Sequence, residues 1–238
     1  MPSPTTPIAR SKTAALSRIL NSVPHGYDRY TCGVIAPEKI PALVKKLHRL
    51  HAIAATPAQR IRRKKLGQAN ALLVLYCPDR SHAGNGMDAE AGAYGGDSPG
   101  AHTSTFQVRE KAQWLMLFTA GDLGAHEELR SVLDKPRLGW LGYELTRYAH
   151  NGRTRWTWKR PDEAMREIYG QLEDRLKRRR WGDIQVLLQN AARQPGFHGV
   201  RGQSWRLGEF ARRSGYRGEL PVLYYIRKVE QGERILCG

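Results

Sequence analysis

Acid is what this chain has too little of. Against 39 lysines and arginines stand 22 aspartates and glutamates, which leaves a formal net charge of +17 and a pI near 10.2. A surplus of that size is met by a polyanion or by salt, and nucleic acid is the commonest polyanion. Cysteine is also scarce: Cys32, Cys77 and Cys237 are widely spaced and form no CxxC pair. That excludes a disulfide framework and a zinc knuckle, and makes a reducing cytoplasm the expected location. No apolar run reaches the length of a membrane span, so no membrane partner is expected. The N-terminus has no secretory apolar segment, although its Ser, Thr and Arg content overlaps that of a mitochondrial presequence.

Chemistry is thinly signalled. There is no HExxH, no His-x-His pair and no GxxxxGK[ST] phosphate cradle, and His48 and His51 lie three apart without a third ligand. Neither a metal nor a cofactor is therefore expected.

What is present is placed charge. Residues 1–78 hold 13 basic and 2 acidic side chains, residues 79–150 hold 7 and 10, and residues 151–238 hold 19 and 10. Two basic blocks thus flank a mildly acidic middle.

The strongest local signal lies between Leu138 and Arg160, where two strand-like runs meet at Asn151-Gly152. A two-residue type I′ turn needs positive φ at both central positions, which Asn-Gly supplies. The register follows. His150 faces Arg153, Tyr148 faces Arg155, Thr146 faces Thr157 and Glu144 faces Lys159 on one side. Leu145, Arg147, Ala149, Thr154, Trp156 and Trp158 take the other, with Arg147 opposite Trp156 in cation–π range. Parity sends both tryptophans to the core and leaves Tyr148 as the aromatic available to stack on a base.

Around this hairpin the sequence predicts an α+β protein. It would have a mixed or antiparallel sheet of about five strands, helices on one face and a helical, basic C-terminal part. Residues 1–27 read as a tail (Met1 to Pro7) and a short amphipathic helix, Ile8 to Val23, broken at Pro24-His25-Gly26. Residues 28–160 read as the sheet domain. Arg29–Ile35 and Ala71–Cys77 are strands able to lie side by side, and Ala112–Ala120 is a third. Helices follow Pro37, with a stripe of Ile40, Leu43, Leu47, Leu50 and Ala54, and follow Thr56-Pro57 up to Gly67. Residues 78–105 form a long, mobile, Gly-rich loop, and Ala125 to Leu133 a short helix or turn. Residues 161–238 hold a helix from Pro161-Asp162, a second through Ile184 to Leu188, and a third over Ser204 to Arg213. They end in a strand, Leu220 to Val229, pairing with Arg234 to Cys237 across Gln231-Gly232.

These placements nominate a nucleic-acid-binding set. Arg60, Arg62, Arg63, Lys64 and Lys65 crowd one short helix, where mutual repulsion favours a bound polyanion. Tyr148, Arg153, Arg155 and Lys159 form the hairpin face. Arg178, Arg179 and Arg180 close one helix, where they also suit its dipole, and Arg212 and Arg213 close another. Arg201 lies in Phe197–Gly202, a glycine-flanked loop whose backbone can approach a phosphate. RNA or a single strand is favoured over DNA, because aromatics accompany the cations and no clear major-groove reader is evident. The chain reads as a nucleic-acid binder, alone or with other proteins of a nucleoprotein complex.

Two alternatives stay open. One is a metal-independent endoribonuclease that processes and retains a structured RNA, with His25, Tyr27 and Arg29 beside a turn, or Tyr148 and His150 at the hairpin tip, as candidate groups. The other is a double-stranded DNA-binding protein, with Trp205–Arg213 as its recognition helix, or a structural ribonucleoprotein component.

Overall fold

A strand that is apolar at every position has to be covered on both sides, and the run Ala71–Tyr76 is such a strand. In a computed structural model, which describes residues 5–78, 111–123, 128–226 and 232–237, all six of its residues are buried. Alternate side chains point to opposite faces of a strand. Leu72, Val74 and Tyr76 meet Ala15, Leu16 and Ile19 of α1 (Lys12–Ser22), while Ala71, Leu73 and Leu75 share a second core with Ile40, Val44 and Leu47 of α2 (Ile40–His51). Each large apolar side chain buried in these two layers contributes about 1.5–3 kcal/mol.

The sheet around it has six strands. Its order is β5 (Arg130–Ser131), β2 (Tyr27–Ile35), β4 (Ala112–Thr119), β3 (Ala71–Tyr76), β1 (Thr5–Ala9) and β9 (Arg234–Leu236). β1 runs parallel to β3, and the other pairings are antiparallel. A separate antiparallel sheet holds β6 (Gly139–Trp140), β7 (Tyr143–His150) and β8 (Arg153–Lys159). α3 (Pro57–Lys65) starts with a full capping box, in which Thr56 and Gln59 satisfy each other's backbone N–H. A third core joins α4 (Asp162–Lys177), α5 (Trp181–Ala192) and α6 (His198–Arg213) through Leu172, Ile184, Leu188, Leu207 and Tyr216.

The fold is α+β with a mixed sheet and a helical C-terminal part, as the sequence predicts. In detail the hairpin forms its own sheet, and helices cover both faces of the main one. Several local expectations are corrected. Thr5–Ala9 is a buried strand rather than tail and helix; the helix starts only after Ser11, whose hydroxyl accepts the Ala14 N–H at 3.1 Å. β4 lies between β2 and β3, so Arg29–Ile35 and Ala71–Cys77 are not neighbours. The buried stripe of α2 runs through Val44 and His51, leaving Leu50 exposed. Arg130–Ser131, expected in a helix or turn, is a short edge strand paired to β2.

Leu220 to Ile226 makes no ladder, and Arg234–Leu236 pairs with Thr5–Pro7 at the sheet edge instead. Helix α6 begins at His198, so Phe197–Gly202 is for the most part its first turn and not a loop. The expected loop over 78–105 lies, beyond Pro78, outside the described residues. Among the described residues no helix is long and apolar enough to cross a membrane.

Candidate nucleic-acid interface

The hairpin closes in the expected register. Asn151 and Gly152 have φ of 50° and 70°, and the cross-strand pairs are His150 with Arg153, Tyr148 with Arg155, Thr146 with Thr157 and Glu144 with Lys159. On the inner side Trp158 is fully buried and its indole N–H donates to the Leu16 carbonyl of α1 at 3.0 Å. Arg147 sits 4.5 Å from the centroid of the Trp156 ring. The hairpin is thus anchored by one face, which leaves the other for contacts outside the core.

That other face receives α6. Gly199 lies so close to β8 that a Cβ there would stand 2.5 Å from the Trp158 carbonyl oxygen, an approach only glycine permits. Its N–H donates to the Thr157 hydroxyl at 3.0 Å, so a residue of β8 caps the helix. Further along, the Gln203 amide accepts the Arg160 N–H at 2.8 Å and donates to the Arg160 carbonyl at 2.9 Å. The Arg160 guanidinium is buried among the oxygens of Gln194, Ala191, Val200 and Ser204 at 2.7–3.2 Å. Burial pushes its pKa down to about 10, and the nearby Tyr143 pushes the other way, so it keeps its charge near neutral pH. Arg160 is therefore a clamp between β8, α5 and α6, although its basic neighbours on the strand suggest a phosphate contact.

The clamp delivers a cluster. His198, at the first position of α6, stacks on Tyr148 with ring centroids 4.1 Å apart and 10° between the planes. His150 lies 6.3 Å from each of them, centroid to centroid. Partial burial, then the charges of His150 and Arg201, hold His198 below the ordinary histidine range. The Arg201 guanidinium lies 3.2 Å over the Tyr225 ring, and its Nε is buried without a hydrogen-bond partner. Arg153 and Arg155 are exposed beside His150 and Tyr148, and among the described residues no carboxylate pairs with them or with Arg201. Two imidazoles, three guanidiniums and two phenol rings thus share one surface, on which the positive end of a helix also opens.

The other nominated residues have more divided roles. Lys159 bonds Asp162 at 2.6 Å and pairs with Glu144 at 3.6 Å, and its hydrogen bond, then its charge, lower the Asp162 pKa. On α3, Arg63 donates to the Ala69 carbonyl at 2.8 and 3.2 Å, and Arg60 is half-buried with its Nε inside the protein. Arg62, Lys64 and Lys65 are exposed. Burial, followed by the charges of Arg234 and Arg60, pushes Arg18 down to about 10, so part of α3's charge faces inward. Arg178 pairs with Asp174 at 2.9 Å and Arg180 with Asp183 at 3.9 Å, while Arg179 takes the left-handed conformation, φ 53°, as the helix ends. Arg212 binds the Tyr216 carbonyl at 3.1 Å; Arg213, with exposed Trp205, borders a groove on the outer side of α6.

At the other candidate reaction centre, the His25 Nδ1 is 2.7 Å from the Asn21 carbonyl oxygen, Tyr27 packs on the core and Arg29 is exposed on β2. Among the described residues no second imidazole is in ring contact with His25. His51 is buried edge-on to Phe118, 5.3 Å away, and among the described residues no three metal-ligating side chains cluster.

Tyr224 and Tyr225, both exposed, are the residues that sequence reasoning passed over, and His198 entered it only as part of the Phe197–Gly202 loop. The helical recurrence of Val200, Ser204, Leu207 and Ala211 would have carried α6 back to His198, had Gly199 and Gly202 not read as loop. For Tyr224 and Tyr225 no local signal exists, since the segment has no regular structure. Comparison with protein-family models, with curated proteins and with solved structures finds no match.

Proposed function

We propose that the protein binds nucleic acid, RNA or an unpaired strand, on the face shared by β7, β8 and the start of α6. The observation that carries this reading is the convergence there of Arg153, Arg155, Arg201, His150 and His198 with the rings of Tyr148 and Tyr225. Guanidiniums neutralise phosphates, and an accessible aromatic ring stacks on a base at about 1–3 kcal/mol. Duplexes hide their bases, so this pairing of charge with ring suits a strand whose bases are free. Arg62, Lys64 and Lys65 on α3, with Arg213, supply secondary, sequence-independent contacts to the phosphate backbone. The net charge of +17 adds long-range attraction that falls with salt.

Fluorescence anisotropy with a labelled single-stranded RNA, and with duplex DNA of equal length, tests the reading. RNA is expected to bind more tightly. Replacing Arg153, Arg155 and Arg201 together by Gln should weaken it by about tenfold or more at physiological salt. Equal binding by the triple variant would move the site elsewhere, and preference for the duplex would replace the single-strand reading.

A further inference from the structure

We propose that this face, resting on the RNA-binding reading, also cleaves RNA without metal, with His198 and His150 as the proton-transfer pair and the RNA's own 2′-hydroxyl as nucleophile. Such a reaction needs a base on one side of the scissile phosphate and an acid on the other, each within about 2.6–3.2 Å of its oxygen. The two imidazoles come from different elements, the last residue of β7 and the first of α6, and their centroids are 6.3 Å apart and tilted by 58°. We place the scissile phosphodiester between these two rings.

The roles follow from their surroundings. His198 opens α6, and burial, then the charges of His150 and Arg201, weaken its hold on a proton, so it takes the role of base and His150 that of acid. It takes the proton of the 2′-hydroxyl as the 2′-oxygen bonds to phosphorus. The bond from phosphorus to the 5′-oxygen breaks, and protonated His150 gives its proton to that leaving oxygen. One product ends in a 2′,3′-cyclic phosphate and the other in a 5′-hydroxyl: the P–O2′ bond replaces the P–O5′ bond, His198 ends with one proton more and His150 with one fewer, and proton exchange with solvent resets the pair, with no water or oxidant consumed. Arg153 and Arg155 beside His150, and Arg201 one helical turn from His198, stand where the extra negative charge of the five-coordinate phosphorus develops. Tyr148 is a positioning residue: stacked at 4.1 Å, it fixes the plane of the His198 ring. The role assignment leaves DNA uncut, because DNA offers no 2′-hydroxyl.

The test uses the full chain in excess over a labelled random-sequence RNA pool, in EDTA, with new 2′,3′-cyclic phosphate ends as the readout and the same pool in DNA as control. Cyclic ends should appear from RNA alone. His150→Gln and His198→Gln should each slow their appearance by about 10²–10⁴-fold when the protein saturates the RNA, so that any loss of affinity does not enter the rate. Added imidazole should restore part of the lost rate, which a purely structural defect would not allow. An RNA pool that is bound but stays intact overturns the cleavage proposal and leaves the binding reading standing. If the pool is not bound at all, both readings fail. Cleavage that persists in both variants removes the assignment to these histidines.

Discussion

Two basic regions of this molecule invite comparison. Helix α3 concentrates five cations in six positions, whereas the hairpin face draws its three guanidiniums from β8 and α6. By density α3 is the stronger candidate. Yet Arg63 is tied to a backbone carbonyl, Arg60 turns inward, and among the described residues no aromatic ring lies under a cation of α3. The hairpin face has fewer charges but presents them with aromatic rings, two imidazoles and a helix N-terminus. A run of like charge states only that a surface is solvated and positive. Convergence of unlike groups from distant elements identifies a place where a ligand can be oriented.

The comparison can be broken at its foundations first. Trp158 anchors the hairpin, so Trp158→Ala should cost about 3–5 kcal/mol in chemical denaturation, as large-to-small core changes do. Ile61→Ala on exposed α3 should stay within about 0.5 kcal/mol. Equal costs would mean that the hairpin is not held by its inner face. Next in size, Tyr148→Ala and Tyr225→Ala should each lower affinity for single-stranded RNA by about 1–3 kcal/mol if a base stacks there. Unchanged affinity in both would reduce the face to a set of charges, no different in kind from α3.

Smallest is a titration. His198 is depressed partly by Arg201, so Arg201→Gln should raise its pKa toward the ordinary histidine value, read by NMR of the imidazole protons in the free protein. The sign follows from charge: removing a neighbouring cation makes protonation easier. Because the folded-state pKa lies below the unfolded one, His198 favours folding above the unfolded pKa, and this contribution is lost as pH falls through the folded pKa. The same change on α3, Arg62→Gln, should leave His198 where it is.

How much of this was legible depends on distance along the chain. The hairpin register rests on two adjacent residues, Asn151 and Gly152, and on strict alternation, so every cross-strand pair could be read in advance. The N-cap at Thr56 is equally local, and Gln59 completes it as a capping box. Placing β1 against β3 and β9 required pairing segments from opposite ends of the sequence, and nothing in Thr5–Ala9 itself announces a partner. The insertion of β4 between β2 and β3 is likewise a decision of tertiary packing. The site shows the same division. Tyr148, His150, Arg153 and Arg155 were found from parity, whereas His198 and Tyr225 join them only through the Arg160–Gln203 clamp and the close approach at Gly199.

The central claim is that nucleic acid is held by the hairpin and α6 and only assisted by α3. The most direct measurement is the salt dependence of single-stranded RNA binding in two variants: Arg153, Arg155 and Arg201 to Gln, and Arg62, Lys64 and Lys65 to Gln. Each lost phosphate contact flattens the slope of log K against log salt by about 0.7 for a single strand. The hairpin variant should lose about 2 in slope and the α3 variant less than about 1. A full loss in the α3 variant, with the hairpin variant unchanged, would contradict the account and return the site to the helix where charge is densest.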